Sequence, residues 1–509
     1  MKRDGFNQSL WQSGMSGYSA RPVETQNKIY DVVIVGGGVT GITTAFELQK
    51  AGFQCLVAEA HSLCFGTSGG TTAHLNNFFD IGYNQVESRF GKEGTRLLAG
   101  SANEALSMYQ QNMNELGIEC GYEQNEGCLF AIDDKQAAEL DNILKASQNA
   151  GIDVRYTDKI PVPIPFVKAI RYGGQAQLHP AKYVYALAQA FEQAGGSILQ
   201  ECLVTGVKEG DVLEIQSGHG LLRARKMIYA SHIPPGVNSL HFRCAPYRSY
   251  VMAVTLEDGA YPDGPAYDMI DPYHYYRTQE LDGQPYLIAG GEDHKTGHEK
   301  DTEAPFRRLE ADLRKHFRIR EIFCKWSSQY FDPADGLAYI GHLPGSSEQV
   351  FVATGFGGNG MTYSHIAARL LTDMISGNKS PYEELFSPGR IKPIAGFSSI
   401  VKEGFDVVSS FIGDRLDIVK LESPSQLAEG QGKVVKYDHE SVAFYKDETG
   451  KLFAVNPACT HLKCIIQWNG TEKSWDCPCH GARYSITGEV LTGPSSKPLQ
   501  VRTTLNQPT

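Results

Sequence analysis

Two short strings near the C-terminal end hold the residues best suited to metal chemistry, Cys459-Thr460-His461-Leu462-Lys463-Cys464 and Cys477-Pro478-Cys479-His480-Gly481. Each offers a thiolate and an imidazole, as C-x-H in the first and C-x-x-H in the second. Two Cys and two His are the set that a 2Fe–2S centre takes when sulfur holds one iron and nitrogen the other. Neutral imidazoles in place of two anionic thiolates make such a centre less negative, so it accepts an electron more readily. A structural zinc ion takes the same four ligands. Zinc has no use for the second Cys in each string, which favours the iron centre, a one-electron carrier. Something upstream must then supply electrons.

The supplier is written near the start. Tyr30 to Val35 is an apolar run of strand length, and Gly36-Gly37-Gly38-Val39-Thr40-Gly41 follows it directly. The pattern predicts a helix from Ile42 to Ala51 and a second strand from Gln54 to Glu59. Together they make a βαβ unit with G-x-G-x-x-G in the turn and an acid closing the second strand. Gly36 permits the tight turn, Gly38 admits a pyrophosphate to the backbone amides, and Gly41 lets helix and strand pack closely. The helix N-terminus favours the phosphates, and Glu59 is placed to accept from ribose hydroxyls. The motif alone does not separate NAD from FAD.

The C-terminal strings resemble the CTHxxC and CPCHG boxes of Rieske proteins, of the disulfide-bearing type found in respiratory-chain complexes. The resemblance implies that Cys459 and Cys477 bind one iron, that His461 and His480 bind the other, and that Cys464 and Cys479 form a disulfide between the loops. Gly493-Pro494 is similar to the proline loop of those domains. Tyr484 stands at the family's tyrosine position, but Ala482 stands where the family has a serine that donates to sulfur. A lost donor implies a midpoint potential below that of the respiratory proteins, raised by Ala482→Ser.

Other strings resemble the D-amino-acid oxidase, glycine oxidase and sarcosine oxidase superfamily. Gly66-Thr67-Ser68-Gly69, with Thr71 and Thr72 just beyond, is similar to its flavin-contacting turn. Leu178-His179-Pro180 opening a helix, the stretch Glu201 to Val204 and the strand Met227 to Ser231 match its middle section. Asp335 to Gly341 and Val352 to Met361 match its end, where Gly357, Gly358, Asn359, Gly360 and Met361 pass under the flavin ring. His74 is similar to the histidine that binds flavin covalently in some relatives, yet Gly70 falls at that position, so non-covalent FAD is implied. The two modules in this order resemble a bacterial group of FAD-dependent oxidoreductases with a C-terminal Rieske domain, and Leu10-Trp11 in the leader is similar to that group.

The implied fold is α/β, a Rossmann-type FAD-binding domain with an antiparallel substrate domain, plus a small all-β Rieske domain. The expected division is an N-terminal arm at 1–28, the oxidoreductase at 29–390, a linker at 391–415 and the cluster domain at 416–509. In the linker Ile400, Val401, Phe405, Val408, Phe411 and Ile412 have partly helical spacing. The implied activity is hydride removal from the carbon beside an amine or amino-acid nitrogen, with electrons passing from FAD to the cluster and on to an external acceptor. The alternative is an electron-transfer or redox-sensing protein without amine turnover. For the substrate, Arg277 is the candidate anion clamp, with Tyr250 and His294 as further contacts. A surface arginine fits Arg277 at least as well, and local hydrogen bonding accounts for Tyr250 and His294.

Bulk properties narrow the field. The 509 residues allow several domains, and a net charge of −11 argues against nucleic acid and anionic membrane surfaces. No apolar window is long enough for a transmembrane helix, and the first residues lack the apolar stretch of a signal peptide. Cys55, Cys64, Cys120, Cys128, Cys202, Cys244 and Cys324 are scattered singly, which suits reduced thiols and a cytoplasmic location. Partners are then a small-molecule substrate and an electron acceptor.

Overall fold

The computed structural model describes residues 2–390, 421, 423 and 426–502. The linker reading at 391–415 lies outside the described residues. The apolar run Ile29–Val35 is the central strand of an eight-stranded sheet. It pairs in parallel with Cys55–Ala58 on one side and Gly220–Tyr229 on the other. Ser197–Leu199 and Val350–Thr354 extend the parallel order, and Tyr339–His342 closes one edge antiparallel. Parallel neighbours need long crossovers, and helices supply them. Among these helices Val39–Lys50, Pro180–Gln193 and Gly360–Ser376 bury Ile42, Phe46, Leu187, Phe191, Ile366 and Leu370 in one core.

The first of these helices starts at Val39 rather than at the expected Ile42, because Gly38 already serves as its N-cap. Pro180–Gln193 opens as its sequence predicts. His179 accepts from the Lys182 N–H, and Pro180 occupies a first-turn position that needs no donor.

A second, nine-stranded sheet lies in the middle of the chain and is mainly antiparallel. Its longest members are Cys244–Leu256, Gln284–Lys295 and Ile319–Pro333. The C-terminal part has a three-stranded and a four-stranded antiparallel sheet, with Trp475, Tyr484, Ile466 and Leu499 in its core. No described helix is long and apolar enough to cross a membrane.

The N-terminal arm ties these parts together. Asp4 donates its backbone N–H to Phe65 O, Ser9 Oγ–H bonds Gly69 O, and Trp11 Nε1–H bonds Thr71 O. On its other side Phe6 N–H reaches Glu472 O and Asn7 Nδ2 reaches Thr471 O. Beneath it three buried arginines meet three buried acids. Arg483 bridges Asp4 at 2.9 Å and Asp476 at 3.1 Å, Arg3 faces Asp4 at 3.0 Å and Glu472 at 3.6 Å, and Arg248 lies 3.8 Å from Asp476. Burial alone would push the Asp4 carboxyl up, and Arg483 and Arg3 more than reverse this. Buried charges persist where each has a partner, and here the signs balance.

Candidate functional site

The two cluster loops come together at one end of the C-terminal core. Cys464 and Cys479 are joined as a disulfide, S–S 2.01 Å. The sulfurs of Cys464, Cys477 and Cys479 lie within 4.8 Å of one another, but the two in the disulfide cannot ligate. That leaves Cys459 and Cys477, whose side chains hydrogen-bond each other. The bond draws the Cys459 thiol down to about 6 and pushes Cys477 up.

The rings of His461 and His480 stand 5.0 Å apart at 90°. Nδ1 of each is buried with no hydrogen-bond partner. Burial lowers both imidazoles, His480 to about 3, so they stay neutral, the form that binds a metal. Two thiols in contact and an orphaned Nδ1 on each ring (His480 Nε2 is orphaned as well) fit a mixed-ligand iron centre, whose two irons would satisfy these four ligand atoms.

Hydroxyl groups surround the Cys459 sulfur. Tyr484 OH is 3.2 Å from it and also accepts the Thr460 N–H. Ser495 Oγ is 3.6 Å from the same sulfur and 2.5 Å from Tyr484 OH. Ala482 is fully buried. The loop after Gly493-Pro494 folds back and brings the Ser495 hydroxyl to the same Cys459 sulfur that Tyr484 faces. The expectation about Ala482 itself, a donor lost at that position, stands beside this added hydroxyl.

A single segment of the flavin part touches both sites. It leaves the strand Gly220–Tyr229, and Ala230, Ser231, His232, Ile233 and Pro235 line the cavity described next. The following residue, Gly236, accepts from His461 Nε2–H at 2.9 Å. Further on, His241 and Phe242 pack against the His480 ring at 5.9 and 5.6 Å.

The cavity collects Gly36, Gly38, Val39, Thr40, Glu59, Gly66, Thr67, Ser68, Thr71, Thr72, Val204, Ala230 and Gly357 to Met361. Gly41 is the one residue of the expected cofactor set outside the lining. Its place is underneath, where a Cβ would fall 1.9 Å from Gly36 O. Gly36 itself has φ +117°, and a Cβ there would meet Ala230 O at 2.5 Å. Glu59 closes its strand as expected, and its carboxylate accepts the N–H groups of Gly37 (2.6 Å) and His61 (2.8 Å). The expected turn at Gly66 is a one-turn helix, Thr67–Gly70, whose Ser68 Oγ accepts the Val39 N–H. Gly38 has no side chain to cap the first helix, so the first-turn amides beyond Val39 stay open to an anion. This cradle fits a dinucleotide, with Gly36 to Thr40 toward the pyrophosphate and Glu59 toward a ribose.

The expected substrate contacts are corrected. Arg277 is fully buried and lies outside the lining. It donates to Thr72 O and Ala73 O at 2.8 Å each, bonds Gln279, and stacks on Trp11. Burial lowers its pKa to about 9, and its role is to fix the backbone of the flavin-side turn. Tyr250 and His294 bond each other at 2.8 Å, and Tyr250 packs on Phe306 away from the cavity. In a strand, sequence does not reveal which face a side chain takes once the sheet curves. Lining residues that sequence reasoning missed include Asp80, Tyr273, Tyr275, Asp293, Tyr330, and Ser495 and Ser496 of the cluster part. None carries a local motif.

Comparison with known proteins agrees with this geometry. Residues 31–374 match the family model described as FAD dependent oxidoreductase, and residues 417–503 match the Rieske 2Fe–2S domain. A Bacillus subtilis (strain 168) protein, YhfW, whose name describes it as a Rieske 2Fe–2S iron-sulfur protein, is 32% identical over 92% of this chain and 92% of its own. Gamma-glutamylputrescine oxidoreductase of Escherichia coli (strain K12) is 23% identical over 71% of this chain and 88% of its own. The crystal structure of glycine oxidase from Geobacillus kaustophilus shares the fold with a TM-score of 0.60 at 19% identity, covering 71% of this chain and 99% of that one.

Proposed function

The chain belongs to the FAD-dependent oxidoreductase family and carries a Rieske 2Fe–2S domain, and from that premise we propose that it is an amine or amino-acid dehydrogenase whose two redox centres exchange electrons within one polypeptide. Residues 29–390 are read as the flavin module and 416–509 as the cluster module. Cys459, Cys477, His461 and His480 would hold the cluster, and the cavity residues from Gly36 to Met361 would hold FAD. When bound, FAD supplies a two-electron acceptor that can release electrons singly.

One observation carries the reading. The segment that walls the cavity from Ala230 to Pro235 continues into Gly236, which bonds the imidazole of His461. A short covalent path and one hydrogen bond therefore join the two sites. Ser495 and Ser496 of the cluster part also wall the cavity, so the sites share a boundary on two sides. Electrons that reach the cluster leave for an external acceptor.

The test is anaerobic rapid mixing of the holoprotein with substrate. The expected result is bleaching of the flavin absorbance followed, within one turnover, by the rhombic EPR signal of a reduced mixed-ligand cluster. Bleached flavin beside a cluster that stays oxidised would overturn the relay.

A further inference from the structure

The cavity has two ends of different chemistry. The nucleotide end is rich in glycine and backbone amides. The other end, beside Gly357 to Asn359, is walled by Asp80, Tyr273, Tyr275, Asp293 and Tyr330. Among the described residues that line the whole cavity, none is Arg or Lys. Resting on the dehydrogenase reading above, we propose that the substrate is an amine cation with no carboxylate beside its nitrogen, held by Asp80 and Asp293.

The hydrogen bonds set the polarity of this end. Asp80 Oδ2 accepts the Gly358 N–H at 2.6 Å, and Oδ1 accepts Tyr273 OH at 3.3 Å. Asp293 Oδ2 accepts Tyr330 OH at 2.8 Å. Its other oxygen, Oδ1, is buried with no well-aligned partner, although the Ser249 hydroxyl lies close to the carboxylate. A buried acceptor left unmade costs about 1–3 kcal/mol, and more when charged. An ammonium group brings the missing donor together with the opposite charge. The Tyr273 and Tyr275 rings, 5.9 Å apart, add aromatic surface of the kind that attracts cations.

A carboxylate finds nothing comparable. An α-amino acid would set its negative charge beside two acids with no guanidinium or ammonium to pair it, an arrangement that buried ions do not tolerate. Arg277 lies behind the wall, committed to Thr72 O and Ala73 O. His74 lines the cavity, but burial lowers its pKa and keeps it neutral.

The chemistry balances. Asp293 Oδ1 takes one proton from the ammonium, leaving R–CH2–NH2. The C–H bond on the carbon bearing nitrogen breaks, its hydride goes to FAD, and the nitrogen lone pair forms the C=N bond of R–CH=NH2+. Water then yields R–CHO and NH4+. Burial and the nearby Asp80 raise the Asp293 carboxyl to about 7, which suits a group that must take up and release a proton near neutral pH.

The experiment uses the FAD-loaded full chain and matched pairs: n-butylamine against norvaline, and 1,4-diaminobutane against ornithine. Each second member differs from the first only by an α-carboxylate. Anaerobic bleaching gives turnover, and perturbation of the oxidised flavin spectrum gives binding. The expected result is that the amines bind and bleach, with kcat/KM at least about 100-fold above their carboxylated partners. Asp293→Asn is expected to raise KM for the amines about 10–100-fold. Equal or better bleaching by norvaline and ornithine overturns the inference and leaves the dehydrogenase reading intact. Amines that perturb the spectrum without bleaching it overturn that reading and support this recognition of amines. Tight binding of the amino acids with none by the amines overturns the inference whatever the turnover.

Discussion

The cluster loops draw every candidate ligand from residues 459–480, whereas the flavin cavity takes its wall from segments as far apart as Asp4 and Ser496. In the first region, ligand type, spacing and a disulfide lie within two short loops. In the second, a glycine turn supplies one end, and the remainder arrives by tertiary packing from both sheets, the arm and the cluster part. A site of the first kind fails when one side chain is lost. A site of the second kind depends on whatever holds distant segments in register.

Removal of one cluster ligand breaks the comparison most directly. Cys477→Ser is expected to abolish bound iron, acid-labile sulfide and the EPR signal, while FAD content stays at the wild-type level. Metal analysis and flavin absorbance on one preparation check this, and loss of both cofactors would mean that the two regions do not stand apart. The next largest effect belongs to the seam. Arg483→Met leaves three buried acids facing only two buried arginines, and unfolding should be easier by about 3–5 kcal/mol. Urea denaturation followed by cluster absorbance and by flavin fluorescence reads that change, and coincident transitions would show that the arm couples the parts.

Smaller effects sharpen the contrast. Ser495→Ala removes a hydroxyl 3.6 Å from the Cys459 sulfur. Loss of a hydrogen bond worth about 1 kcal/mol, felt by a single electron, lowers the midpoint by roughly 40 mV. Ala482→Ser is expected to raise it by a similar or smaller amount. An EPR-monitored redox titration of the three proteins decides, and an unchanged midpoint in Ser495→Ala would remove that residue from the sulfur's environment.

The smallest effect is a pH dependence in the sheet that walls the cavity. Burial alone would lower the His274 pKa, but the hydrogen bond and charge of Asp268, 2.9 Å away, overcome it and raise the group from 6.5 to about 9. Its contribution is therefore complete below about pH 6.5 and is lost as the pH rises through 9. The gap in stability between wild type and His274→Gln should be about 1–2 kcal/mol at pH 6 and close to zero at pH 10. A gap that widens with pH would contradict the assignment.

How much was legible in advance follows the same division. Gly36 to Gly41, Glu59 and the string Gly357 to Met361 were readable because a turn, a strand end and a helix start are short-range events. Arg277 was misread because a buried arginine and a substrate clamp look alike in sequence, and only packing shows that Thr72 and Ala73 claim it. The Ser495 hydroxyl beside the Cys459 sulfur was not legible, because a separate loop brings it there. Asp80 and Asp293 carry no motif. They became candidates only when the lining showed acids and tyrosines without a cation.

The chain's linear order therefore settled which chemistry is present, namely two thiols and two imidazoles for iron and a glycine cradle for a dinucleotide. Tertiary packing decided which polar groups face the substrate space, which are walled in, and that Gly236 meets His461. The reason is range. Ligand spacing and turn geometry act over a few residues, whereas the orientation of a side chain toward a cavity depends on how two sheets and an N-terminal arm close around it.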